Sequence, residues 1–292
     1  WRINDYVAVG GSISYNYMRL GYAQKFGTTD LFTPAGQQPD ATTQLLQDTL
    51  GDLRLDYVGT DHGLGWNLGT LITPHRWVSI GLSYSGWTAP RFTGGVEVRP
   101  LAQPDVTPAA FRDMAALLNY KLPSKLAVEM AIPPAVMGGI NFHPLPWLEV
   151  GFDWRLWLYS LYKKQTVTPV YEAAAPGKEV VTAASLSKEK NYSTSYELAL
   201  GALFRPFRRR PGIELMAGLG FDGSPVPDES FSMDTPSMHQ IVSSIGGRAT
   251  LGKHWRLGVA YMLIAYVPRD ITTSKTSPPT NLRISAINHI PT

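Results

Sequence analysis

Apolar residues recur at every second position over most of this 292-residue chain. The clearest stretch is 148–158, where the even positions are apolar and the odd positions include Glu149, Asp153 and Arg155. Successive side chains of a strand point to opposite faces, so this stretch has one apolar face and one polar face. A helix of the same sequence would spread its charges around the whole circumference. The alternation therefore predicts an all-β protein.

The same alternation continues along the chain and predicts ten strands. They lie at about 3–25, 52–73, 76–99, 124–143, 147–168, 191–206, 211–226, 238–251, 255–270 and 281–290. Connections after the even-numbered strands are short, whereas those after the odd-numbered strands are long and polar. Transmembrane barrels have short periplasmic turns and long extracellular loops in this order. We therefore expect residues 1–292 to form a single antiparallel transmembrane β-barrel domain.

Composition excludes several other classes of protein. No apolar run approaches the ~20 residues that a membrane-spanning helix needs. The absence of cysteine excludes disulfides and thiolate metal sites. A net charge of +3 is too weakly basic to predict nucleic-acid binding, and the basic run of Arg205 and 208–210 is interpreted as a solvated turn.

The sequence contains no recognisable motif for enzymatic catalysis. Six histidines are scattered mostly at predicted turns without metal-ligand spacing, and no nucleophile motif or phosphate loop is present. The charges on the polar strand faces are interpreted as a salt-bridge network inside a barrel, in preference to acid–base catalysis. The residues are Glu149, Asp153, Arg155, Glu197, Glu214, Asp222, Arg248 and Arg256. We expect neither an enzyme nor a metal or other cofactor.

One strand runs directly into a double-proline segment. Residues 213–221 alternate, and Pro225 and Pro227 follow within a few positions. Proline lacks a backbone donor and fixes φ, which suits a strand that is leaving its sheet. We expect these prolines to shape a loop at the rim of the barrel.

Two of the long connections show a helical pattern. In 108–119 the apolar residues Phe111, Met114, Ala115 and Leu118 share one stripe, and Thr107 precedes the segment as a candidate N-cap. Residues 41–50 show a weaker version of the same pattern. Such a stripe either packs against the rim of a barrel or lines an apolar ligand site, and both interpretations stay open.

Short motifs in a fixed order resemble the FadL/TodX family of outer-membrane hydrophobic-compound transporters. They are Gly63-Leu-Gly-Trp-Asn-Leu-Gly69, Phe92-Thr-Gly-Gly95, Pro133-Pro-Ala135, Asp153-Trp-Arg-Leu-Trp157 and Asp222-Gly-Ser-Pro-Val-Pro-Asp228. The resemblance implies a fourteen-stranded barrel with an N-terminal hatch and a kinked early strand that opens the wall. This chain resembles the last ten strands, so we expect the hatch and the first strands to be missing. Residues 288–292 lack the terminal aromatic residue that outer-membrane barrels usually carry, so we also expect the final strand to be incomplete.

The resemblance also implies a function, namely passive uptake of hydrophobic compounds such as long-chain fatty acids or aromatic hydrocarbons through the bacterial outer membrane. The expected partners are a hydrophobic small molecule, outer-membrane lipid and lipopolysaccharide. Two alternatives stay open. The same barrel could be a structural or docking subunit that binds a protein partner in an outer-membrane complex, or it could be a water-filled porin.

Candidate ligand-binding residues also follow from the resemblance. In the family, basic residues near the outer ends of strands meet the carboxylate of the ligand, and the nearest positions here are Lys25, Arg19, Lys188 and Lys190. The alternative is that these side chains face water or lipopolysaccharide phosphate at the rim. Phe111, Met114 and Leu118 are the apolar candidates.

Overall fold

The computed structural model describes residues 1–29, 33, 38–117, 120–171, 181–182, 186–207, 212–232, 236–252, 254–275 and 280–291. Strands dominate, and two helices of ten residues each lie in long connections, α1 (Ala41–Leu50) and α2 (Pro108–Leu117). In this part of the chain, neither these nor any other helix has the length and apolar character needed to cross a membrane.

The described residues up to 171 form nine strands. They are β1 (Val7–Gly27), β2 (Asp52–His75), β3 (Val78–Ser85), β4 (Arg91–Pro100), β5 (Tyr120–Lys121), β6 (Lys125–Glu129), β7 (Ala135–Leu145), β8 (Leu148–Trp157) and β9 (Lys164–Val170). The described residues from 181 onward form β10 (Val181–Thr182), β11 (Leu186–Glu189), β12 (Ser195–Phe204), β13 (Ile213–Asp222), β14 (Gln240–Leu251), β15 (Trp255–Tyr266), β16 (Arg269–Ile271), β17 (Leu282–Ile284) and β18 (Ile287–Pro291).

Fourteen of these strands form one antiparallel sheet, which branches at β2. The half of β2 nearest the short turn pairs with β3, and the sheet continues through β7, β8, β12, β13, β14 and β15 to β18. We call this part, with β1, the lower wall. The Asp52–Thr60 half of β2 pairs with β4, and β6, β9 and β11 follow; this part is the upper sheet. The fold is therefore the antiparallel all-β architecture that the alternation predicts.

Three neighbouring predicted strands are each interrupted at the same level. The interruptions are 86–90 between β3 and β4, 130–134 between β6 and β7, and 158–163 between β8 and β9. Pro90, Pro133 and Pro134 have no amide hydrogen to give to a ladder, which explains the first two. Among the described residues, the isolated bridge of Thr88 with Ile132 and a hydrogen bond from the Met130 amide to the Pro90 carbonyl link those two gaps. The prediction of unbroken strands at 76–99, 124–143 and 147–168 is therefore wrong at these points.

The lower wall has one apolar face and one face of small and polar residues. Phe152, Leu200 and Leu219 are aligned across β8, β12 and β13, and all three are exposed on the outside. On the opposite face, one residue along each strand, the same three strands align glycines at 151, 201 and 218. The apolar face suits contact with lipid, whereas the opposite face encloses the lumen.

Aromatic side chains lie on the apolar face near the short turns. Trp77 contacts Phe142 edge-on with ring centroids 5.1 Å apart. Trp147 makes the same kind of contact with Phe204 at 5.5 Å. Barrels that cross membranes carry aromatic girdles at this position, so these pairs agree with a girdle at the short-turn end.

Both helices pack against the upper sheet. This agrees with the interpretation that their apolar stripes pack against the rim of the barrel. Thr107 caps α2 by accepting a hydrogen bond from the Ala110 amide at 3.2 Å. Asp40 caps α1 through the Thr43 amide at 2.7 Å, and these backbone hydrogen bonds lower the pKa of the Asp40 carboxyl. The helices bury Leu50, Phe111 and Ala115 in a cluster with upper-sheet residues. We call this cluster the cap core; it also contains Leu53, Tyr57, Phe92, Val96, Val98, Leu122, Leu126 and Val128.

Replacing Phe111 with alanine should destabilise the cap core by about 3–5 kcal/mol, because Phe111 is 0% exposed and its loss leaves a cavity. Leu117 on the same helix is 85% exposed, so Leu117→Ala is the matched control and should change stability by less than about 0.5 kcal/mol. Hydrogen exchange of α2 amides measures both effects. Equal exchange in the two variants would show that Phe111 does not hold the helix in place.

Candidate functional site

The inner face of the lower wall lines an open cavity of about 1500 Å³. Its lining comes from eight strands, β1, β2, β3, β7, β8, β12, β13 and β14, and consists largely of glycine, alanine and serine. At Gly81 an added Cβ would meet nothing within 4 Å, and at Gly201 the nearest atom would be 4.0 Å away. These glycines therefore do not serve close backbone packing; their effect is to keep the lumen wide.

Four charged residues close together form what we call the lower ion cluster, near the short-turn end of the lumen. Arg248 Nε donates to Glu214 Oε2 at 2.6 Å, and Arg205 Nε donates to Glu214 Oε1 at 3.1 Å. Arg205 also lies 3.6 Å from Glu149. The interpretation of Arg205 as part of a solvated turn is therefore wrong, because its side chain turns inward to two carboxylates. Residues 208–210 lie outside the described part of the chain.

A second polar group lies nearer the long-loop end of the same face. Glu197 accepts from Arg155 Nη1 and from Trp157 Nε1, both at 2.8 Å. Asp222 faces Glu197 across the β12–β13 pair and accepts from Gln240 Nε2 at 3.3 Å. Each carboxylate thus has a donor, and the arrangement holds neighbouring strands together in the way predicted for inward charges.

Three of the predicted network members make no ion pair among the described residues. Asp153 and Arg256 lie on β8 and β15, and neither makes an ion pair among the residues that the structure describes. Asp153 lines the cavity directly. The salt-bridge interpretation therefore holds for Glu149, Arg155, Glu197, Glu214 and Arg248. It is wrong for Asp153 and Arg256, and also for Asp222, which accepts a hydrogen bond from Gln240 but makes no ion pair among the described residues.

At the long-loop end, several connections meet in a second buried cluster, which we call the seam cluster. It consists of Tyr162, Tyr192, Val226, Phe231 and Ile271. Within the described residues the Tyr162 hydroxyl has no hydrogen-bond partner, and burial raises the pKa of Tyr162. The seam cluster joins the turn after β8 to the loop after β13 and to the hairpin of β16 and β17.

The double-proline segment lies in this cluster, beyond the end of β13 as predicted. The Pro225 carbonyl accepts from the Ser193 amide at 2.8 Å, and the Gly223 carbonyl accepts from the Ser195 hydroxyl. Val226 is buried in the seam cluster. The prolines therefore shape a rim loop that is attached to the start of β12.

Arg269 holds the same loop from the other side. Its guanidinium donates to the Val226 carbonyl at 2.6 Å, to Asp228 Oδ1 at 2.7 Å and to the Ser237 carbonyl at 3.0 Å. It also lies over the Phe231 ring, 5.2 Å from the centroid. Sequence reasoning gave Arg269 no role, because its partners lie 32 to 43 residues away. We call these contacts the Arg269 clamp.

The predicted ligand-binding residues of β1 lie on the outer face. Lys25 is at the end of the strand, with its side chain 65% exposed and its Nζ 2.7 Å from Asp52. Arg19 is exposed and shares the parity of Tyr15 and Tyr17, whose side chains point outward. Neither residue lines the cavity. Their proposed contact with a ligand carboxylate stays a prediction.

The other candidates lie at the long-loop end. Lys190 is only 2% exposed, and its Nζ is 5.8 Å from the Tyr192 ring centroid. Phe111 and Met114 pack in and against the cap core. The side chain of Lys188 and the whole of Leu118 fall outside the described residues. The structure thus brings Phe111 and Met114 together in and against the cap core.

Among the described residues, no three His, Asp or Glu side chains lie close enough together to hold a metal ion. The inward carboxylates of the lower ion cluster accept hydrogen bonds from guanidinium groups. The described residues form a wide lumen that carries paired charges near both of its ends.

Comparison with known proteins agrees with this architecture. The structure is similar to a Pseudomonas aeruginosa FadL homologue, with a TM-score of 0.69 at 13% identity over 99% of this chain and 63% of that one. It is also similar to the Ralstonia pickettii toluene transporter TbuX, with a TM-score of 0.56 at 16% identity over 99% of this chain and 63% of that one. The chain thus spans less than two thirds of the length of these proteins.

Sequence comparison gives the family directly. A comparison with curated protein sequences finds no match. The family described as outer membrane protein transport protein (OMPP1/FadL/TodX) matches residues 1–286, which is nearly the whole chain. The chain belongs to this OMPP1/FadL/TodX family of bacterial outer-membrane β-barrel proteins.

Proposed function

We propose that the full protein provides a passive route for hydrophobic compounds, such as aromatic hydrocarbons or long-chain fatty acids, across the outer membrane. The observation that carries this proposal is the cavity of about 1500 Å³ on the inner face, lined largely by side chains no larger than serine. Ligand sites commonly have volumes of about 300–1,000 Å³, so this space accommodates an apolar molecule of either class.

Charge pairing in the lumen supports the same proposal. Among the described charged residues that line the cavity, Glu149, Arg155 and Glu197 are paired and Asp153 is not. A water-filled porin would instead need a wall lined continuously by charged groups, and here the middle of the wall carries Gly151, Gly201 and Gly218. The geometry therefore favours an apolar solute over ions.

The outer face supports the membrane setting of this route. Exposed apolar side chains recur along the lower wall, including Ile13, Ile140 and Val259. We propose that this face contacts outer-membrane lipid and that exposed basic residues at the long-loop end, such as Lys25, meet lipopolysaccharide phosphate. Burial of apolar area in lipid contributes ~25 cal/mol per Å².

Uptake by cells tests the proposal. Gram-negative cells that lack their own transporter of this kind, but carry the full-length gene, should take up labelled toluene and labelled oleate faster than cells without the gene. The folded state of the barrel is checked in parallel by its resistance to unfolding in detergent. A folded barrel that takes up neither compound would refute the transport function and would favour a docking subunit.

A further inference from the structure

The double-proline loop, residues 223–228, is joined at its start to a histidine beside β14. The Ser224 amide donates a hydrogen bond to His239 Nδ1 at 3.0 Å. Two further contacts hold His239 in place. Its backbone carbonyl accepts from the Val267 amide at 2.8 Å, and its ring stacks on Phe221 with the centroids 5.8 Å apart. Nδ1 is therefore directed at the first residues of the loop.

This hydrogen bond exists in only one charge state of His239. A backbone amide donates and does not accept, so Nδ1 carries no proton in this bond, and the proton of the neutral ring is on Nε2. Protonation places an N–H on Nδ1, and two donors then face each other. Histidine is the side chain that changes charge between about pH 5 and about pH 8. Acidification within this range therefore removes the acceptor of the Ser224 amide.

Four neighbouring elements bring charged groups to this end of β13 and β14. They are Glu197 on β12, Asp222 on β13, Asp228 in the loop and Arg269 after β15. Glu197 is paired with Arg155, and Asp228 with Arg269. Asp222 attracts a charged His239 ring, whereas Arg269 Nη1 lies 3.5 Å from Ser224 Oγ and repels such a ring across Ser224. Attraction to Asp222 therefore helps the ring to become charged, and repulsion from Arg269 then weakens its contact with Ser224.

The other attachments of the loop do not depend on a histidine. The Pro225 carbonyl accepts from the Ser193 amide at 2.8 Å, and the Arg269 clamp holds Val226 and Asp228. Arginine side chains stay charged over the whole range in which histidine titrates. Loss of the bond to His239 therefore loosens the start of the loop, while the Arg269 clamp keeps its far side attached.

We propose that the double-proline loop is a pH-sensitive strap, which neutral His239 ties to β14 and which protonation of Nδ1 releases. Transmembrane barrels carry their long loops on the outside of the cell, so the strap responds to the pH of the surrounding medium. The inference does not rest on the proposed transport function, because it concerns only how the loop is attached to the barrel.

Hydrogen exchange of the full-length protein in detergent micelles tests the strap. Protection of the peptide that contains Ser224 is compared at about pH 7.5 and about pH 5, after correction for the intrinsic pH dependence of exchange. We expect protection of the Ser224 amide to be about fivefold lower in acid, the size expected for the loss of one hydrogen bond. Protection of the lower wall should not change, which shows that the barrel stays folded.

Three variants assign the effect to His239. His239→Asn places a carbonyl Oδ1 where Nδ1 lies and does not titrate, so it should keep the same protection at both pH values. His239→Ala has no acceptor and should give low protection at both. His62→Asn removes the histidine that contacts Tyr15 on the outer face and should leave the response of the loop unchanged. Equal protection of the wild-type loop at both pH values, or a pH response that persists in His239→Asn, would overturn the inference.

Discussion

Replacement of Glu214 with alanine is expected to lower the free energy of unfolding by about 2–3 kcal/mol, because it leaves two inward guanidinium groups without their shared carboxylate. The Glu214 side chain is 15% exposed, and Arg205 and Arg248 are 32% and 35% exposed. Breaking a fully buried pair costs about 3–5 kcal/mol, and partial solvation of these guanidiniums reduces that figure. Urea unfolding of the chain folded in detergent micelles measures the effect.

A second pair of variants separates charge from shape at this position. Glu214→Gln keeps the length of the side chain and one acceptor, so it should cost less than Glu214→Ala. In a double-mutant cycle with Arg248→Gln, the effects of Glu214→Gln and Arg248→Gln should be non-additive by more than about 0.5 kcal/mol, since the two side chains are in contact. If the effects of the two substitutions on stability were fully additive, Glu214 and Arg248 would not be energetically coupled.

Removal of the Arg269 guanidinium is expected to loosen the double-proline loop while the lower wall stays folded. Arg269→Ala deletes hydrogen bonds to Val226, Asp228 and Ser237 and the contact with the Phe231 ring. We expect a local loss of about 3 kcal/mol, which corresponds to roughly 100-fold faster hydrogen exchange in residues 224–232. Exchange measured by mass spectrometry resolves this loop from the strands.

Neighbouring residues provide the controls for the Arg269 clamp. Arg269→Lys keeps the charge but loses the planar fork that reaches three acceptors, so it should restore only part of the protection. Arg283 on β17 makes a single exposed contact with Asp270 at 3.5 Å, and Arg283→Ala should leave exchange in the loop unchanged. If Arg269→Ala and Arg283→Ala gave the same exchange, the clamp would not hold the loop.

The architecture of the lower wall could be predicted from sequence because each strand carries its own two-faced pattern. In 148–157 the sequence alone assigns Phe152 to the apolar face and Gly151 to the opposite face, and the register confirms this assignment. The family also followed from short motifs such as 222–228, whose prolines do lie beyond the end of β13. The alternation within each strand was therefore sufficient to predict which of its residues face outward and which face inward.

The features that sequence reasoning missed depend on residues that are distant in the chain. The predicted strands continue across 86–90 and 130–134, so the aligned interruptions were not predicted, although their prolines are visible in the sequence. The Arg269 clamp needs three loops to meet, and no local pattern places Arg269 beside Val226. Arg205 looked like a solvated residue because its partners Glu149 and Glu214 belong to two other strands.

The most direct test of the proposed route is toluene uptake by cells that carry Gly201→Trp in the full-length protein. Gly201 lines the cavity and has no atom closer than 4.0 Å to an added Cβ, so the indole should enter the lumen without disturbing the backbone. Leu200→Trp places the same side chain on the outer face of β12 and is the control. We predict that Gly201→Trp folds and lowers uptake to the level of gene-free cells, whereas Leu200→Trp keeps it. Wild-type uptake by a folded Gly201→Trp barrel would contradict transport through this lumen.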